Sequence, residues 1–211
     1  MQTDKFQIDD AFDRAYECTA LDSVPSSGVS IYCYPGGHAN CQVEGPVFEV
    51  VPHRDGREMW VGSFAWGDLS PNAASGVFSH PSPSELLVVA RGEAYIVNVD
   101  DPSEHWHLKL IPVMGVVAVP EASMVVLYDF TRLEGYGAKG RCWQTPSLSW
   151  DGFRNVKGDG QYVIGEGWDS PNDKWVPFRV NAVDGSFTGG ASPELMKASA
   201  SATNNTSEGE R

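Results

Sequence analysis

The sequence has few basic side chains and no long apolar run, and both shortages narrow what the protein can do. Lysine and arginine number 15 against 28 aspartate and glutamate residues, so the formal net charge at pH 7 is −13. Binding to nucleic acid or to an anionic membrane requires clustered basic side chains. We therefore expect neither activity. A stretch of eighteen apolar residues, as a transmembrane helix needs, is also missing.

Motifs of common enzyme classes are missing as well. The sequence contains no Gly-x-Ser-x-Gly nucleophile motif, no phosphate-binding Walker loop, no dinucleotide-binding fingerprint and no twelve-residue calcium loop. His53 and His80 are single histidines without a catalytic partner nearby in the sequence. The sequence therefore favours a protein that is not an enzyme, and we expect no cofactor.

The N-terminal residues and the four cysteines bear on the compartment. The first ten residues are polar and acidic and lack the basic and then apolar regions of a secretory signal, which predicts a cytoplasmic protein unless a signal has been removed. In that compartment Cys18, Cys33, Cys41 and Cys142 are expected to be free thiols rather than bridged. In a secreted protein, Cys33 and Cys41 would be the pair to test.

Short runs of β-branched and aromatic residues dominate the middle of the chain. Residues 86–90, 94–99, 105–111 and 115–119 are such runs, and turn-forming Gly, Pro, Asp or Asn residues separate them. The connections are too short for the crossover that a parallel pair requires. The sequence therefore predicts a mainly β protein built from antiparallel meanders.

Part of this pattern repeats at an offset of 37 residues. The offset places Trp106 on Trp143, Gly115 on Gly152 and Val119 on Val156. A fixed period of this size is typical of one supersecondary unit used several times. Four strands in each period predict three to four propeller-like, blade-like units. Because every all-β protein has regularly spaced turns, a β-sandwich or a barrel is the alternative.

Residues 133–145 carry a family resemblance. The segment Leu-Glu-Gly-Tyr-Gly-Ala-Lys-Gly-Arg-Cys-Trp-Gln-Thr is similar to the repeat of quinoprotein-type propellers, in which a strand ends, turns through a glycine and docks a tryptophan between blades. The resemblance implies a blade-like shape. Those propellers have more blades than this chain can supply, so it implies no quinone cofactor.

The sequence also predicts a division of the chain. Ile8, Ala11, Phe12 and Ala15 follow helical spacing with acidic residues between them, which predicts a short N-terminal helix. We expect residues 1–45 to form this helix and a loop-rich cap, and residues 46–190 to form the β-repeat domain. Residues 191–211 are mainly small and polar and are expected to be a disordered tail.

Two groups of residues could bind a metal ion. Cys33, His38 and Cys41 lie close together in the sequence and could supply three of the four ligands of a zinc ion. His105 and His107 alternate with Trp106, so a strand would place both imidazoles on one face and Trp106 in the core. These two histidines could bind a metal ion or an anion.

The preferred function is a binding module on a rigid β scaffold with acidic, aromatic-bearing loops. Aromatic side chains supply much of the energy of protein interfaces, and four of them near Gly-rich turns are expected to be partly exposed: Trp60, Trp66, Tyr136 and Trp168. The acidic charge suits a basic protein partner. The alternative is a metal-assisted hydrolase with a site built around His105 and His107. Neither hypothesis predicts an oligomeric state.

Overall fold

The computed structural model describes residues 6–39, 43–67 and 72–192. Within these ranges the regular structure is β strand apart from two single 3₁₀ turns, Pro120–Ala122 and Ser170–Asn172. The mainly β prediction is confirmed. None of the helical segments in the described part of the chain has the length and apolar character needed to span a membrane. The chain divides into two compact units, Met1–Val116 with Gly137–Lys139 and Val117–Tyr136 with Gly140–Arg211.

Unit one contains two five-stranded sheets. Sheet one has the strand order β2-β5-β6-β3-β4, with β2 Tyr16–Leu21, β3 Ser30–Tyr34, β4 His38–Ala39, β5 Val47–Pro52 and β6 Trp60–Phe64. Sheet two has the order β1-β7-β8-β9-β10, with β1 Gln7–Asp9, β7 Gly76–Ser79, β8 Glu85–Ala90, β9 Glu93–Asn98 and β10 His105–His107. Each sheet contains one parallel pair, β3 with β6 and β1 with β7, and is otherwise antiparallel where the pairing is described.

Unit two holds almost all of two four-stranded sheets whose strands follow chain order. Sheet three consists of β11 Gly115–Val119, β12 Met124–Tyr128, β13 Leu133–Gly137 and β14 Gly140–Gln144. Sheet four consists of β15 Phe153–Asp159, β16 Tyr162–Asp169, β17 Lys174–Asn181 and β18 Phe187–Gly189. Four neighbouring strands in sequence order are the arrangement of a propeller blade, so these sheets are the blade-like meanders that the sequence predicts.

Each unit has its own hydrophobic core. The core of unit one is rich in aromatic residues, including Phe48, Trp60 and Phe64, and it joins sheet one to sheet two. The core of unit two joins sheet three to sheet four through smaller residues such as Val126, Leu133 and Val163, together with Phe178 and Trp143. Fully burying a large apolar side chain contributes about 1.5–3 kcal/mol, so these clusters stabilise the sheet pairs.

One tryptophan in each unit joins the sheets by a hydrogen bond as well as by packing. Trp60 in sheet one donates its indole N–H to the Val99 carbonyl, 3.0 Å away, just after β9 of sheet two. Trp143 in sheet three donates in the same way to the Ala182 carbonyl, 2.7 Å away, just after β17 of sheet four. Each acceptor lies 39 residues after its tryptophan. The docked tryptophan implied by the propeller resemblance is therefore present twice.

The turns that receive these tryptophans are also alike. In one, Asp101 accepts hydrogen bonds from the backbone N–H and the hydroxyl of Ser103, and in the other Asp184 accepts the same two bonds from Ser186. These positions, like Trp60 and Trp143, are 83 residues apart. The repeat that the structure supports here therefore pairs unit one with unit two at 83 residues.

The offset of 37 residues places Trp106 on Trp143, and both lie on the last strand of their sheets, β10 and β14, but the expected burial of Trp106 is wrong. Trp106 lies on β10, the last strand of sheet two, and its side chain is 52% exposed, whereas Trp143 is 9% exposed. Trp106 is therefore not the core residue that the sequence predicted. The offset aligns equivalent strands, but because successive side chains on a strand point to opposite faces, it does not fix which face a matched residue occupies.

The prediction of a short N-terminal helix is also wrong. The segment predicted to be helical contains β1, which pairs with β7 in parallel register, and the start of β2, which pairs antiparallel with β5. A helix of about eleven residues is marginal in water without tertiary packing, and here the backbone pairs with existing strands instead. Residues 6–39, expected to form a cap, thus supply strands to both sheets of unit one. Residues 193–211, expected to be a tail, lie outside the described residues.

Candidate binding surface

Two of the four aromatic residues predicted to be partly exposed are buried. Trp60 is 2% exposed because its ring docks between the two sheets of unit one. Tyr136 is 4% exposed and donates its hydroxyl to Glu134, 2.6 Å away, whose other oxygen accepts from Arg141 at 3.0 Å. Burial and then the bond to Glu134 raise the pKa of Tyr136. Neither ring is available to a partner in this structure.

The other two aromatic residues retain partial exposure. Trp66 lies beside the core of unit one, where it stacks on Phe6 with ring centroids 5.8 Å apart, and the Arg91 guanidinium lies 4.3 Å from its ring centroid. Both neighbours cover the ring. Trp168 lies on β16 of sheet four and pairs with Trp175 of β17, with ring centroids 5.1 Å apart. Of the four predicted aromatic residues, Trp168 is the one that lies in a larger cluster of surface side chains.

His105 and His107 lie on one face of β10, as predicted, but each is engaged by its own neighbours. The two ring nitrogens of His105 lie 2.7 Å from the Pro35 carbonyl oxygen and 3.0 Å from the Ser103 carbonyl oxygen. His107 forms an ion pair with Glu93 and stacks on Tyr95, with ring centroids 5.0 Å apart. Across the described ranges no group of three or more His, Cys, Asp or Glu side chains is placed to hold a metal ion.

Cys33 is disulfide-bonded, so the prediction of free cysteines is wrong for this residue. A disulfide sulfur has no thiolate to offer, so Cys33 is not a zinc ligand in this structure. The side chains of His38 and Cys41, the other predicted ligands, lie outside the described part. Cys18 and Cys142 are free thiols; Cys142 is exposed, and burial raises the pKa of Cys18 to about 12.

His80 has a partner that the sequence did not indicate. Its ring is 1% exposed, and Nδ1 lies 2.9 Å from Glu85 Oε2, five residues later, across the turn between β7 and β8. The backbone N of Ser82 lies 3.1 Å from the same ring nitrogen, which accepts from it only when that nitrogen carries no proton to donate to Glu85. The pair holds a buried turn together.

The candidate binding surface is the face of sheet four that points away from the core of unit two. Val163, Phe178 and Val180 point into the core of unit two. Because successive side chains on a strand point to opposite faces, the residues between them share the other face. We call it the aromatic–basic face; it comprises Arg154, Lys157, Asp159, Tyr162, Ile164, Glu166, Trp168, Trp175, Pro177 and Arg179.

Cation–π contacts and one ion pair order this face. Arg154 makes two hydrogen bonds to Glu166, of 2.8 and 3.0 Å, and its guanidinium lies 4.5 Å from the Trp175 ring centroid. The Arg154 bonds, followed by one from Asn155, hold the pKa of Glu166 below its ordinary value. At the other end of the sheet, the Arg179 guanidinium lies 3.7 Å from the Tyr162 ring centroid. The rings are therefore held in fixed positions before any partner binds.

A groove of about 450 Å³ lies on the same face. Ile164 and Pro177 form an apolar part of its lining, and Lys157 and Arg179 line it with positive charge. Thr188 and Gly189 of the short strand β18 line it as well. Glu166 lines it too, and the arrangement can take a partner that combines negative charge with an apolar group.

Of the residues on this face, only Trp168 is among the binding residues predicted from the sequence. Strand alternation over residues 174–181 places Trp175, Pro177 and Arg179 on one face, and this signal was available. What the sequence lacked was the register that sets Ile164 opposite Arg179 and Trp168 opposite Trp175. Only the pairing shows that these side chains are neighbours.

Comparisons with known proteins give no family. No family model matches the sequence, and no curated protein matches it significantly. Among solved structures, dihydro-heme d1 dehydrogenase NirN matches at 11% identity over 68% of this chain and 32% of its own, with a TM-score of 0.45. BamB from Moraxella catarrhalis matches at 11% identity over 75% and 62%, with a TM-score of 0.28. The N-terminal domain of Nup159 matches at 12% identity over 92% and 56%, with a TM-score of 0.41.

The chain therefore spans less than two thirds of the length of each of these structures. At such identities and TM-scores the likeness carries no argument about what this chain binds.

Proposed function

We propose that the protein is a non-enzymatic binding module and that the aromatic–basic face of sheet four is its recognition surface. The observation that carries the proposal is the pair Trp168 and Trp175, which lies partly exposed on a rigid sheet beside a groove of about 450 Å³. Tryptophan and arginine are the residues most often found as energetic anchors of protein interfaces, and this face presents both.

The order within the face supports the same proposal. Binding costs free energy when side chains must be immobilised, about 0.5–1.5 kcal/mol for each flexible side chain. Arg154 is already fixed by Glu166 and Trp175, and Arg179 by Tyr162. A partner would therefore meet side chains that have lost much of this freedom on folding.

Unit one is a second candidate surface, for the basic protein partner that the net charge suggests. Its described residues include fourteen acidic and six basic side chains, against nine and six in unit two. A cavity of about 220 Å³ in unit one is lined by Tyr32, Met59 and Asp100, among others, and Met59 is 39% exposed. Beside it, hydrogen bonds from Ser103 lower the pKa of Asp101, which keeps this carboxylate ionised.

The metal-assisted hydrolase receives no support from the geometry. His105 contacts two carbonyl oxygens and His107 is paired with Glu93, so binding a metal ion would require both to exchange their partners. Native mass spectrometry of the purified protein tests this alternative directly. A stoichiometric metal ion that is lost in His107→Ala would support the hydrolase and count against our proposal.

The disulfide at Cys33 bears on the compartment. The sequence predicts a cytoplasmic protein, yet glutathione and thioredoxin keep cytosolic thiols reduced. We favour an oxidising compartment. Thiol trapping in intact cells, followed by mass spectrometry, should find Cys33 bridged; a reduced Cys33 would restore the cytoplasmic assignment.

The binding module is tested with one variant and a matched control. We expect Trp168→Ala to lose bound partners that the unchanged protein captures, because removing an anchor costs more than about 1 kcal/mol of binding energy. Trp106→Ala removes a more exposed tryptophan from sheet two and should retain them. Captured proteins are compared by quantitative mass spectrometry, after circular dichroism has shown that both variants are folded. Equal capture by the two variants would rule out this face as the recognition surface.

A further inference from the structure

We propose that the groove on the aromatic–basic face binds an extended acidic peptide segment, in which two carboxylates flank an apolar residue. The inference rests on the proposed function and names the chemistry of its partner. It is carried by the order of the side chains across the sheet, by the charges that remain uncompensated in the groove, and by the contrast between this face and the rest of the protein.

The order of the side chains follows from the strand register. Lys157 of β15 is opposite Ile164 of β16, which is opposite Arg179 of β17. Neighbouring strands are about 4.8 Å apart, so the backbones of Lys157 and Arg179 are separated by roughly 10 Å with Ile164 between them. The row therefore reads basic, apolar, basic across the sheet, and all three side chains line the groove.

The charges of this row remain largely uncompensated. Glu166, the one carboxylate that lines the groove, already accepts bonds from both Arg154 and Asn155. Lys157 has no ion pair within the described ranges, whereas Arg179 forms a long, exposed ion pair with Asp159, 3.9 Å away. Two carboxylates on a partner would therefore meet one cation without an ion pair in the described part of the chain, Lys157, and one whose ion pair is long and exposed, Arg179.

The charge of this face differs from that of the rest of the protein. The formal net charge is −13, whereas β15, β16 and β17 together carry four basic side chains, Arg154, Lys157, Lys174 and Arg179, against three acidic ones, Asp159, Glu166 and Asp169. A basic patch on an acidic protein attracts negatively charged partners to that patch and disfavours their binding elsewhere. Charge complementarity thus selects an acidic occupant for this face.

The shape of the groove selects an extended peptide. In an extended chain every second side chain points to the same side, at intervals of about 6.6 Å. A segment with acidic residues at its first and fifth positions and an apolar residue at its third would place all three toward the sheet. The apolar side chain would pack on Ile164 and Pro177, and the carboxylates would meet Lys157 and Arg179.

The test uses three fluorescent seven-residue peptides with leucine at position four and serine elsewhere. Positions two and six are glutamate, glutamine or lysine. We expect the glutamate peptide to bind in a fluorescence polarisation assay, to bind more weakly as salt is raised, and to bind at least about tenfold more tightly than the glutamine peptide, because charge-assisted hydrogen bonds are lost in the latter. Equal binding of the glutamate and glutamine peptides would overturn the inference.

Variants then locate the site on the protein. Lys157→Glu and Arg179→Gln should each weaken binding of the glutamate peptide at least about fivefold, because each removes a cation from the groove. Lys174→Glu is the matched control; it reverses an exposed charge on the same strand as Arg179, outside the groove lining, and should change binding less than about twofold. Equal weakening by Lys157→Glu and Lys174→Glu would show attraction to net charge alone and would overturn the site.

The outcome separates the inference from the proposed function. If Trp168→Ala loses captured partners while no acidic peptide binds, the recognition surface stands and its acidic ligand is wrong. Preferred binding of the lysine peptide would also overturn the inference and would favour a basic partner. Binding of a single-stranded oligonucleotide that competes with the glutamate peptide and exceeds it in affinity would likewise contradict the peptide assignment.

Discussion

Replacing Trp143 by phenylalanine should destabilise unit two far more than the same change at Trp106. Trp143 is 9% exposed and joins sheet three to sheet four through its hydrogen bond to Ala182. Its ring also fills space left by two glycines: a Cβ atom at Gly135 would lie 2.2 Å from the ring, and one at Gly185 would lie 2.8 Å from it. The tryptophan is therefore enclosed on more than one side.

The expected loss of unfolding free energy follows from the interactions of the indole ring that phenylalanine cannot make. The Ala182 carbonyl would lose the indole donor, and a buried polar group left without a partner costs about 1–3 kcal/mol. The smaller ring also leaves a cavity, and deleting buried carbon atoms typically adds about 1 kcal/mol or more. We expect Trp143→Phe to lower the free energy of unfolding of unit two by about 2–4 kcal/mol. Trp106→Phe, at an exposed position, should change stability by less than about 0.5 kcal/mol.

Urea unfolding followed by circular dichroism measures the difference. With a denaturant slope of about 2 kcal/mol/M, a loss of 2–4 kcal/mol moves the midpoint down by about 1–2 M. Trp60→Phe should produce a similar loss in unit one, because its buried indole N–H likewise donates to a backbone carbonyl, that of Val99. Equal midpoints for Trp143→Phe and Trp106→Phe would refute the role that we assign to the docked tryptophan.

Two further predictions concern individual side chains. A thiol reagent at pH 8 should label Cys142 rapidly and Cys18 only after unfolding, because Cys142 is exposed while burial raises the pKa of Cys18 to about 12; rapid labelling of the folded Cys142→Ser variant would contradict this. The carboxyl group of Glu166 should titrate by NMR below the ordinary glutamate pKa, and Arg154→Gln should raise that pKa. Because the folded pKa is lowered, the stability from this ion pair is present above the unfolded pKa and is lost as the pH falls through the folded pKa; an unchanged titration in Arg154→Gln would exclude Arg154 as the cause.

The sequence was sufficient to predict the strands of the middle of the chain and insufficient to predict their partners. Runs such as residues 86–90 and 94–99 form β8 and β9 because they are rich in apolar, β-branched and aromatic residues and are bounded by turn-forming ones. Partners depend on long-range packing, which local spacing does not encode. The parallel pairings of β1 with β7 and of β3 with β6 therefore escaped prediction, as did the repeat at 83 residues.

Helical spacing near the N-terminus was misleading for a physical reason. Ile8 and Phe12 satisfy a helical period, but Phe12 donates its backbone N–H to the Ser79 hydroxyl, 2.9 Å away. Arg14 forms an ion pair with Asp10 that a helix of this spacing would also allow. Local pairs of this kind are worth only a few tenths of a kcal/mol, so backbone pairing with a formed sheet outweighs them.

The candidate site was predictable only in part. Trp168 was identified because a tryptophan near Gly-rich turns is a common anchor, whereas Trp60 and Tyr136 fit the same description and are buried. Sequence proximity to a turn does not say on which face of a sheet a side chain lies. The groove residues Lys157 and Arg179 are 22 positions apart and become neighbours only through β16.

The parallel strand β1 has a consequence for how the protein is made. It contributes an outermost strand of sheet two, whose other four strands lie between residues 76 and 107, so β1 is synthesised well before its sheet can be complete. Until then the hydrogen-bonding edge of β1 is available to any other strand, including β1 or β7 of a neighbouring nascent chain. Exchange of this segment between two molecules would leave every contact of sheet two intact. Strand β1 is thus a segment that two molecules can exchange during synthesis.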